Sequence, residues 1–363
     1  MTQQKMVAAM RVLVIAALLP LGALAALSSA GCGSDSIGPP DAPASPWSTT
    51  TPLPEPRLES GVAANGTQVV VIGGYSSSLE QGLAVSRQVL VLDTFAETWT
   101  PVTPEAPVAW THASVATAAG SIFLLGGLDQ QLAAHGDAYV LDLGARVWEA
   151  MTPMPAGEER GAAAVVVYPP FVYLFGGSAT VGALATNLAI DTSSSGPTRR
   201  GVWSALPPLP APRSHAAAMR MANGTFIVTG GFDGQGKPLA DTLELAPNAT
   251  AWTATRKPMP TARGGCAYGV VLGELVCAGG ETEAAALSVV EGYDPIRDVW
   301  MTYPPLPVPR AGIHGAVVGQ RLFIPGGSES LRFEPTPDVF VFSPLDTLPR
   351  ARLGSKPPGL DRN

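Results

Sequence analysis

The stretch that decides the fold runs from Pro258 to Trp300 and has the sequence PMPTARGGCAYGVVLGELVCAGGETEAAALSVVEGYDPIRDVW. Its apolar run LVCA ends at the glycine pair Gly279-Gly280, and Trp300 closes the stretch. Short apolar runs bounded by turn residues are typical of buried β-strands. Glycine at the end of a strand indicates a place where another part of the backbone approaches closely. The stretch therefore predicts buried strands that end at such an approach.

This pattern occurs six times along the chain. Each glycine pair follows an apolar run, and each lies at a nearly constant distance after a tryptophan. The length between a glycine pair and the next tryptophan varies more, which is typical of a surface loop. The glycine pairs begin at Gly73, Gly126, Gly176, Gly230, Gly279 and Gly326, and the preceding tryptophans are Trp47, Trp99, Trp148, Trp203, Trp252 and Trp300.

Over residues 47 to 344 the chain resembles the kelch-repeat family, whose units of about fifty residues build β-propellers. The resemblance implies a four-stranded blade in each unit, with strand b ending at the glycine pair, strand c ending in an acid, and strand d around the tryptophan. An Asp at such a turn can cap the backbone through its side chain. The fourth unit has Ala246 at this position, and the matching acids of other units are Asp93, Asp142, Asp191 and Asp294.

The two ends of the repeat region complement each other. The sixth unit has no tryptophan after its strand c, whereas Trp47 has no strands a to c before it. We therefore expect the N-terminal strand around Trp47 to complete the last blade, because closure removes free sheet edges. The predicted fold is an all-β, six-bladed kelch propeller over residues 47–345, followed by a polar C-terminal tail over residues 346–363.

The N-terminal segment is typical of a secreted bacterial protein. Residues 1–31 contain Lys5, Arg11 and an apolar run from Val12 to Leu27, which predicts a signal peptide. A transmembrane anchor is the alternative, although the run is shorter than the ~20 residues that span a bilayer. Cys32 follows in the frame SAGC, which resembles a lipoprotein cleavage site and predicts lipidation of Cys32. The alternative is cleavage by an ordinary signal peptidase beside an incidental cysteine.

The predicted lipid anchor places the protein outside the cytoplasm on a bacterial membrane. Residues 32–46, rich in Pro, Ser and Gly, are predicted to form a flexible linker between the anchor and the propeller.

The composition of the chain excludes two other classes of protein. A formal charge of −7 with only 22 Lys and Arg argues against binding to nucleic acid. Hydrophobic residues at 46% exclude a chain that is disordered over most of its length.

One set of residues recurs at the predicted start of strand a, at an almost fixed distance before each glycine pair. It contains Arg57, Trp110, Arg160, Arg213, Arg263 and Arg310. We refer to this set as the arginine circle. Its guanidinium groups could bind a negatively charged protein or glycan at one mouth of the propeller. The alternative is that these arginines belong to the architecture of each blade.

The sequence contains no catalytic or cofactor-binding motif that assigns a reaction. His112, His215 and His314 fall on three strands a, each at a different distance before its glycine pair. These offsets predict different heights, so no metal site and no cofactor are expected. Cys266 and Cys277 lie on one hairpin. A turn at Gly273-Glu274 separates them by roughly 13 Å at ~3.3 Å per residue, which predicts two free thiols.

These observations predict a monomeric binding or scaffold module whose partner is an unknown protein or glycan. The alternative is a carbohydrate-active enzyme, such as a sugar epimerase or mutarotase, that uses the same mouth. The resemblance to periplasmic kelch proteins that epimerise sialic acid suggests this alternative, but it covers only positions that form the propeller. No residue of this chain is assigned a catalytic role.

Overall fold

The computed structural model describes residues 45–78, 81–82, 84–118, 120–193 and 201–347. The predicted signal peptide, Cys32, most of the linker and most of the C-terminal tail lie outside the described residues. Among the residues that are described, no helix has the length and apolar character needed to cross a membrane. A short 3₁₀ helix lies at Pro344–Thr347.

Six antiparallel sheets of four strands form the fold, and we number them as blades in chain order. Blade 1 contains β2 (Gly61–Asn65), β3 (Gln68–Ile72), β4 (Val89–Asp93) and β5 (Thr98–Val102). Blade 2 contains β6 (Ser114–Ala118), β7 (Ser121–Leu128), β8 (Ala134–Asp142) and β9 (Val147–Ala150). Blade 3 contains β10 (Ala164–Tyr168), β11 (Phe171–Phe175), β14 (Asn187–Asp191) and β15 (Val202–Leu206). A small hairpin, β12 (Ser178–Ala179) with β13 (Gly182–Ala183), lies in the loop of blade 3.

The other three blades have the same order of strands. Blade 4 contains β16 (Ala217–Arg220), β17 (Phe226–Thr229), β18 (Thr242–Leu245) and β19 (Thr253–Arg256). Blade 5 contains β20 (Ala267–Val271), β21 (Glu274–Ala278), β22 (Val290–Asp294) and β23 (Val299–Tyr303). Blade 6 contains β24 (Ala316–Val318), β25 (Arg321–Pro325), β26 (Val339–Phe342) and β1 (Trp47–Thr50).

The first strand of each blade lies nearest the axis. Consecutive inner strands contact one another in the order β2, β6, β10, β16, β20 and β24, and β24 contacts β2 again. Six apolar clusters fill the spaces between blades, and each cluster takes side chains from two neighbouring blades. Strand b is therefore covered on both faces, which explains the apolar run before each glycine pair in the sequence.

The N-terminal strand closes the ring, as the sequence predicts. Strand β1 pairs antiparallel with β26, with Trp47 opposite Phe342. The Trp47 indole N–H donates to the carbonyl of Pro304 in blade 5 at 2.9 Å. The tryptophans of the other five strands d donate in the same way to a backbone carbonyl one blade earlier. The prediction of a six-bladed propeller closed by its N-terminal strand is confirmed.

The glycine pairs lie where one blade meets the next. Gly326 has a φ of +73°, and a Cβ there would lie 2.2 Å from the carbonyl oxygen of Arg57. The N–H of Gly327 donates to that same oxygen at 2.7 Å. Because no other residue fits so close to a neighbouring backbone at this φ, glycine is required at this junction between the last and first blades.

The acids that end strand c cap the following turn, as predicted. The Asp93 Oδ1 atom accepts hydrogen bonds from the N–H groups of Phe95 and Ala96, at 2.9 and 3.0 Å. Asp142 and Asp294 form the same pair of bonds, and Asp191 accepts one from Ser193. These side chains are therefore structural.

The prediction of two free thiols in blade 5 is wrong. The turn of this hairpin lies at Leu272-Gly273, so Tyr268, and not Val270, is opposite Cys277. A shift of one residue in the turn moves the pairing by two residues and brings Cys266 to a diagonal position. The two Cα atoms are 5.5 Å apart and a disulfide joins the side chains. This distance lies within the usual range for a disulfide.

Candidate functional site

The arginine circle lies at the start of each strand a, on the face of the ring where each strand b ends in its glycine pair. Five backbone carbonyls of the circle accept a hydrogen bond from the second glycine of the preceding blade. All five arginine side chains are buried, with at most 2% of their surface exposed. Trp110 takes the place of arginine in blade 2 and stacks on His135 with the ring centroids 5.7 Å apart.

The arginines bind groups within their own blades. Arg213 forms a bidentate pair with Asp241, with N···O distances of 3.1 and 2.8 Å. Arg263 pairs with Glu291 and donates to the carbonyl of Cys277 at 3.0 Å. In three blades the partner acid lies at the start of strand c, at one common spacing from its arginine; these pairs are Arg213–Asp241, Arg263–Glu291 and Arg310–Asp338.

Arg57 and Arg160 use other partners in their blades. Arg57 donates to Glu55 and Gln88, and Arg160 donates to Glu158 and to the carbonyl of Thr186. The expectation that these guanidinium groups face a ligand needs correction, because burial and pairing turn them towards their blades. The contacts favour the alternative interpretation, in which Arg57, Arg160, Arg213, Arg263 and Arg310 hold strand a to strand c.

The exposed charge at this mouth is acidic. The loops after the glycine pairs and the turns before strand a carry exposed acids, whereas Arg87, Lys237 and Arg332 are the exposed bases in the described part of these loops. The partner carboxylates of Arg57 and Arg310 also reach the surface, since Glu55 is 51% and Glu329 62% exposed. The exposed acids of this mouth include Glu55, Asp137, Glu283, Glu329 and Glu334.

A second ring of residues lies two positions after the arginine circle. We call it the channel belt, because it surrounds the propeller axis. Each member has a φ between 51° and 64°. In five steps the N–H of one member donates to the carbonyl of the member in the preceding blade, at 2.8 to 2.9 Å. The members are Glu59, His112, Ala162, His215, Gly265 and Gly312.

Three side chains of the channel belt meet inside the ring. His112 Nε2 is 3.3 Å from Glu59 Oε2, and both side chains are buried. The His112 and His215 rings are in edge contact, with their centroids 5.2 Å apart. One nitrogen or oxygen of each of Glu59, His112 and His215 lies within 4.8 Å of the other two. The site is therefore a compact set of two imidazoles and a carboxylate.

The prediction that the histidines lie at different heights is wrong for His112 and His215. Their offsets were counted back from the glycine pairs, across a hairpin whose length differs between blades. The hairpin of blade 4 joins Arg220 to Phe226, whereas that of blade 2 joins Ala118 to Ser121. Counted from the arginine circle, both histidines stand at the same position, and His314 follows two residues later in its blade.

Electrostatics sets the protonation of this cluster. Burial alone would raise the pKa of Glu59, but the charges of His112, His215 and His314, with the hydrogen bond to His112, lower it to about 2. Burial and the charge of His112 lower the pKa of His215 to about 4, against the attraction of Glu59. Burial also lowers the pKa of His314. Glu59 is therefore ionised at neutral pH, and His215 is neutral.

A third ring, nearer the mouth, holds the residue after each glycine pair. Its backbone bridges to the residue between the arginine circle and the channel belt. Burial, together with the charge of Glu59, raises the pKa of Glu281 in this ring to about 8. The same two causes raise the pKa of Tyr75. The members are Tyr75, Leu128, Ser178, Phe232, Glu281 and Ser328.

The repeat also matches known sequences. Residues 262–307, which contain the four strands of blade 5, match the Kelch motif family. The chain is 32% identical over 303 residues to the Kelch-like protein terF of Aspergillus terreus, which covers 80% of this chain and 65% of that protein. The protein is a six-bladed β-propeller that contains a Kelch motif and resembles kelch-like proteins.

Other relatives share shorter parts of this kelch propeller. Kelch-like protein 33 of Homo sapiens is 34% identical over 128 residues, which is 34% of this chain and 24% of that protein. The Influenza virus NS1A-binding protein homolog of Mus musculus is 39% identical over 71 residues, or 20% of this chain and 11% of that protein. The chain thus spans less than two thirds of the length of each of these relatives. They are fungal and animal proteins, so the bacterial lipoprotein type stays a prediction.

Proposed function

We propose that this kelch propeller is an extracytoplasmic, lipid-anchored module that binds a protein partner through the loops at its mouth. The observation that carries the proposal is the contrast between uniform blades and dissimilar loops. The six loops after the glycine pairs differ in length and sequence, and their backbone is held by local turns. Asp129 and Asp233, for example, each accept two backbone N–H bonds within their loops. A rigid ring with variable, ordered loops is a common design for binding surfaces.

The chemistry of the partner follows from the charge of the mouth. Because the arginines are buried and paired, the exposed side chains present more acids than bases. We therefore expect a partner with a basic surface, whereas the sequence alone suggested an acidic one. One relative is named for binding the NS1A protein, which is in keeping with a protein-binding role for a kelch propeller.

A charge-reversal experiment tests the mouth as the binding face. A soluble form that begins at Ser34 would be used to capture partners by cross-linking, and the cross-links would be mapped by mass spectrometry. Glu283→Lys with Glu334→Lys should weaken capture at least tenfold, because both acids are exposed in the loops of blades 5 and 6. The matched control is Glu97→Lys with Glu149→Lys, which reverses two exposed acids away from the mouth. Equal capture by both variants would refute the mouth as the binding face.

Two observations support a location outside the cytoplasm. The first is the signal-like segment that ends at Cys32. The second is the disulfide between Cys266 and Cys277, since disulfides persist mainly in oxidising compartments. Cys32→Ala should abolish labelling by a fatty-acid analogue and release the protein from membranes, with the Cys266–Cys277 disulfide intact. Unchanged labelling and membrane partition would remove the lipoprotein part of the proposal.

A second candidate function is a carbohydrate-active enzyme such as a sugar epimerase. The observation that favours it is the cluster of Glu59, His112 and His215, because an ionised carboxylate beside imidazoles can transfer protons. The test is incorporation of deuterium from D₂O into the carbon-bound positions of a panel of sugars, followed by NMR. Incorporation with the wild type and none with Glu59→Gln would support an enzyme. No incorporation with any sugar would leave the binding module as the function.

A further inference from the structure

The channel belt contains side-chain nitrogen and oxygen atoms that a protein-binding role does not use. Of the four histidines in the chain, two lie in the belt and a third, His314, follows two residues after Gly312. Two imidazoles and one carboxylate are the ligand types of many zinc sites that keep an open position. We propose that Glu59, His112 and His215 form a site for one divalent transition-metal ion, of the zinc class, inside the channel.

The distances suit such an ion. Ligands at ~2.0 to 2.1 Å around a tetrahedral ion lie about 3.4 Å from one another. The His112 Nε2 and Glu59 Oε2 atoms are already 3.3 Å apart. The third donor, from His215, lies within 4.8 Å of both. Binding of the ion therefore requires only that the more distant donor move closer to the other two.

The other ring nitrogen of each histidine is held by a hydroxyl group. His112 Nδ1 is 3.1 Å from Thr111 Oγ1, and His215 Nδ1 is 3.0 Å from Ser214 Oγ. In both blades the hydroxyl belongs to the residue just before the histidine. This is the outer contact that usually orients a metal-binding imidazole, and it leaves Nε2 as the free donor.

The contact between His112 and Glu59 already brings two of the three groups together. His112 Nε2 lies 3.3 Å from Glu59 Oε2. Thr111 Oγ1 lies 3.1 Å from both the carbonyl oxygen of Glu59 and His112 Nδ1, so one hydroxyl group links the two residues. A metal ion shared with His215 satisfies all three donors at once.

The belt is open in the fifth blade, where Gly265 carries no side chain and a Cβ would meet no atom within 4 Å. Buried His314 Nδ1 has no hydrogen-bond partner within the described part of the chain. Its other nitrogen is engaged with the backbone of Ser60. The remaining coordination position can therefore be filled by water or by a small anionic ligand.

Zinc titration of the full-length protein tests the proposal. After treatment with EDTA, the wild type should bind one Zn²⁺ by calorimetry, and His112→Ala, His215→Ala and Glu59→Gln should each weaken affinity at least tenfold. The matched control is His135→Ala, which removes the histidine outside the channel. Co²⁺ added in place of zinc should give visible absorption bands that the His112→Ala protein lacks.

Each variant would first be checked for folding by circular dichroism. If His112→Ala does not fold, His112→Gln keeps an amide that can donate to Glu59 and is used instead. The site is ruled out if the wild type fails to bind Zn²⁺ with a dissociation constant of about 100 micromolar or lower, which corresponds to a binding free energy of roughly −5 kcal/mol. It is also ruled out by binding that is unchanged in a folded variant of both belt histidines. Loss of binding in His135→Ala instead would assign the ion to the surface pair of His135 and Asp129.

Discussion

The arginine circle and the channel belt lie two residues apart in every blade, yet they differ in how far they follow the repeat. Five of six blades place a buried arginine in the circle, and each arginine is paired inside its own blade. The belt has four residue types in its six positions, Glu, His, Ala and Gly, although its backbone is uniform. Positions that repeat therefore maintain the blade, and positions that depart from the repeat are available for chemistry.

The first prediction concerns the circle and has the largest expected effect. Arg263→Ala should lower the free energy of unfolding by about 3 kcal/mol or more, because it leaves the carboxylate of Glu291 buried and unpaired. Urea denaturation followed by tryptophan fluorescence measures this loss. Arg297→Ala is the matched control, since that guanidinium is 77% exposed and its removal should change stability by less than about 0.5 kcal/mol.

A loss below about 1 kcal/mol for Arg263→Ala would show that the circle does not hold the blades. The same protein also sharpens the comparison with the belt. Its folded fraction should bind Zn²⁺ as the wild type does, because the contacts of Arg263 lie with Glu291, Thr261 and Cys277 of its own blade. A changed zinc affinity would mean that circle and belt are not independent.

The second prediction compares two glycines of the belt. Gly312→Ala should cost about 2 kcal/mol, because its Cβ would lie 2.3 Å from Leu58 Cδ1 in a buried contact. Gly265→Ala should cost only about 1 kcal/mol, from the strain of a positive φ, because its Cβ meets open space. Thermal unfolding of both variants measures the difference. Equal costs would contradict the open side of the channel.

The third prediction uses the raised pKa of Glu281. The pKa of this carboxyl group is about 8 in the folded protein, against an ordinary value of 4.5. The group therefore stabilises the fold fully when the pH is below 4.5, and this contribution is lost as the pH rises towards 8. Melting temperatures measured from pH 5 to 8 should therefore fall less for Glu281→Gln than for the wild type. The control is Glu283→Gln, an exposed acid two residues away. Identical pH profiles for all three proteins would contradict the raised pKa.

The fourth prediction has the smallest expected effect on stability. It tests whether a hydroxyl group that does not bind zinc itself positions a histidine that does. Thr111→Val removes the hydroxyl that holds His112 Nδ1 but keeps a side chain of similar size. Zinc affinity should fall roughly tenfold, as for other outer contacts of metal ligands. Ser114→Ala is the control, because it removes a buried hydroxyl of the same blade that bonds to no described group. A loss of zinc affinity in Ser114→Ala as large as that in Thr111→Val would mean that the hydroxyl of Thr111 has no special role.

The sequence predicts well those features that each repeat encodes locally. The glycine pairs, the capping acids and the closing strand at Trp47 each follow from spacing within one or two units. The cysteine pair was missed because a one-residue error in a turn shifts a hairpin register by two. The meeting of His112 and His215 was missed because the count began on the far side of a hairpin of variable length.

The sequence left two interpretations of the arginines open for a related reason. The acids that pair with Arg213, Arg263 and Arg310 come much later in the chain, beyond loops whose sequences do not resemble one another. Only a count from arginine to acid, made separately in each unit, shows the common spacing. Glu59 could have been found in the same way, since it follows Arg57 by the same step that separates His112 from Trp110.

Closure by β1 has a consequence for how the chain is made. Synthesis produces the strand around Trp47 first, and its partner β26 comes almost last. The first strand therefore has no partner until the last strand of the ring has been made. A chain that stops short of Phe342 lacks the strand on which β1 pairs, so both β1 and β25 are left with an unpaired edge, which favours aggregation. The closed ring thus requires both ends of the propeller sequence.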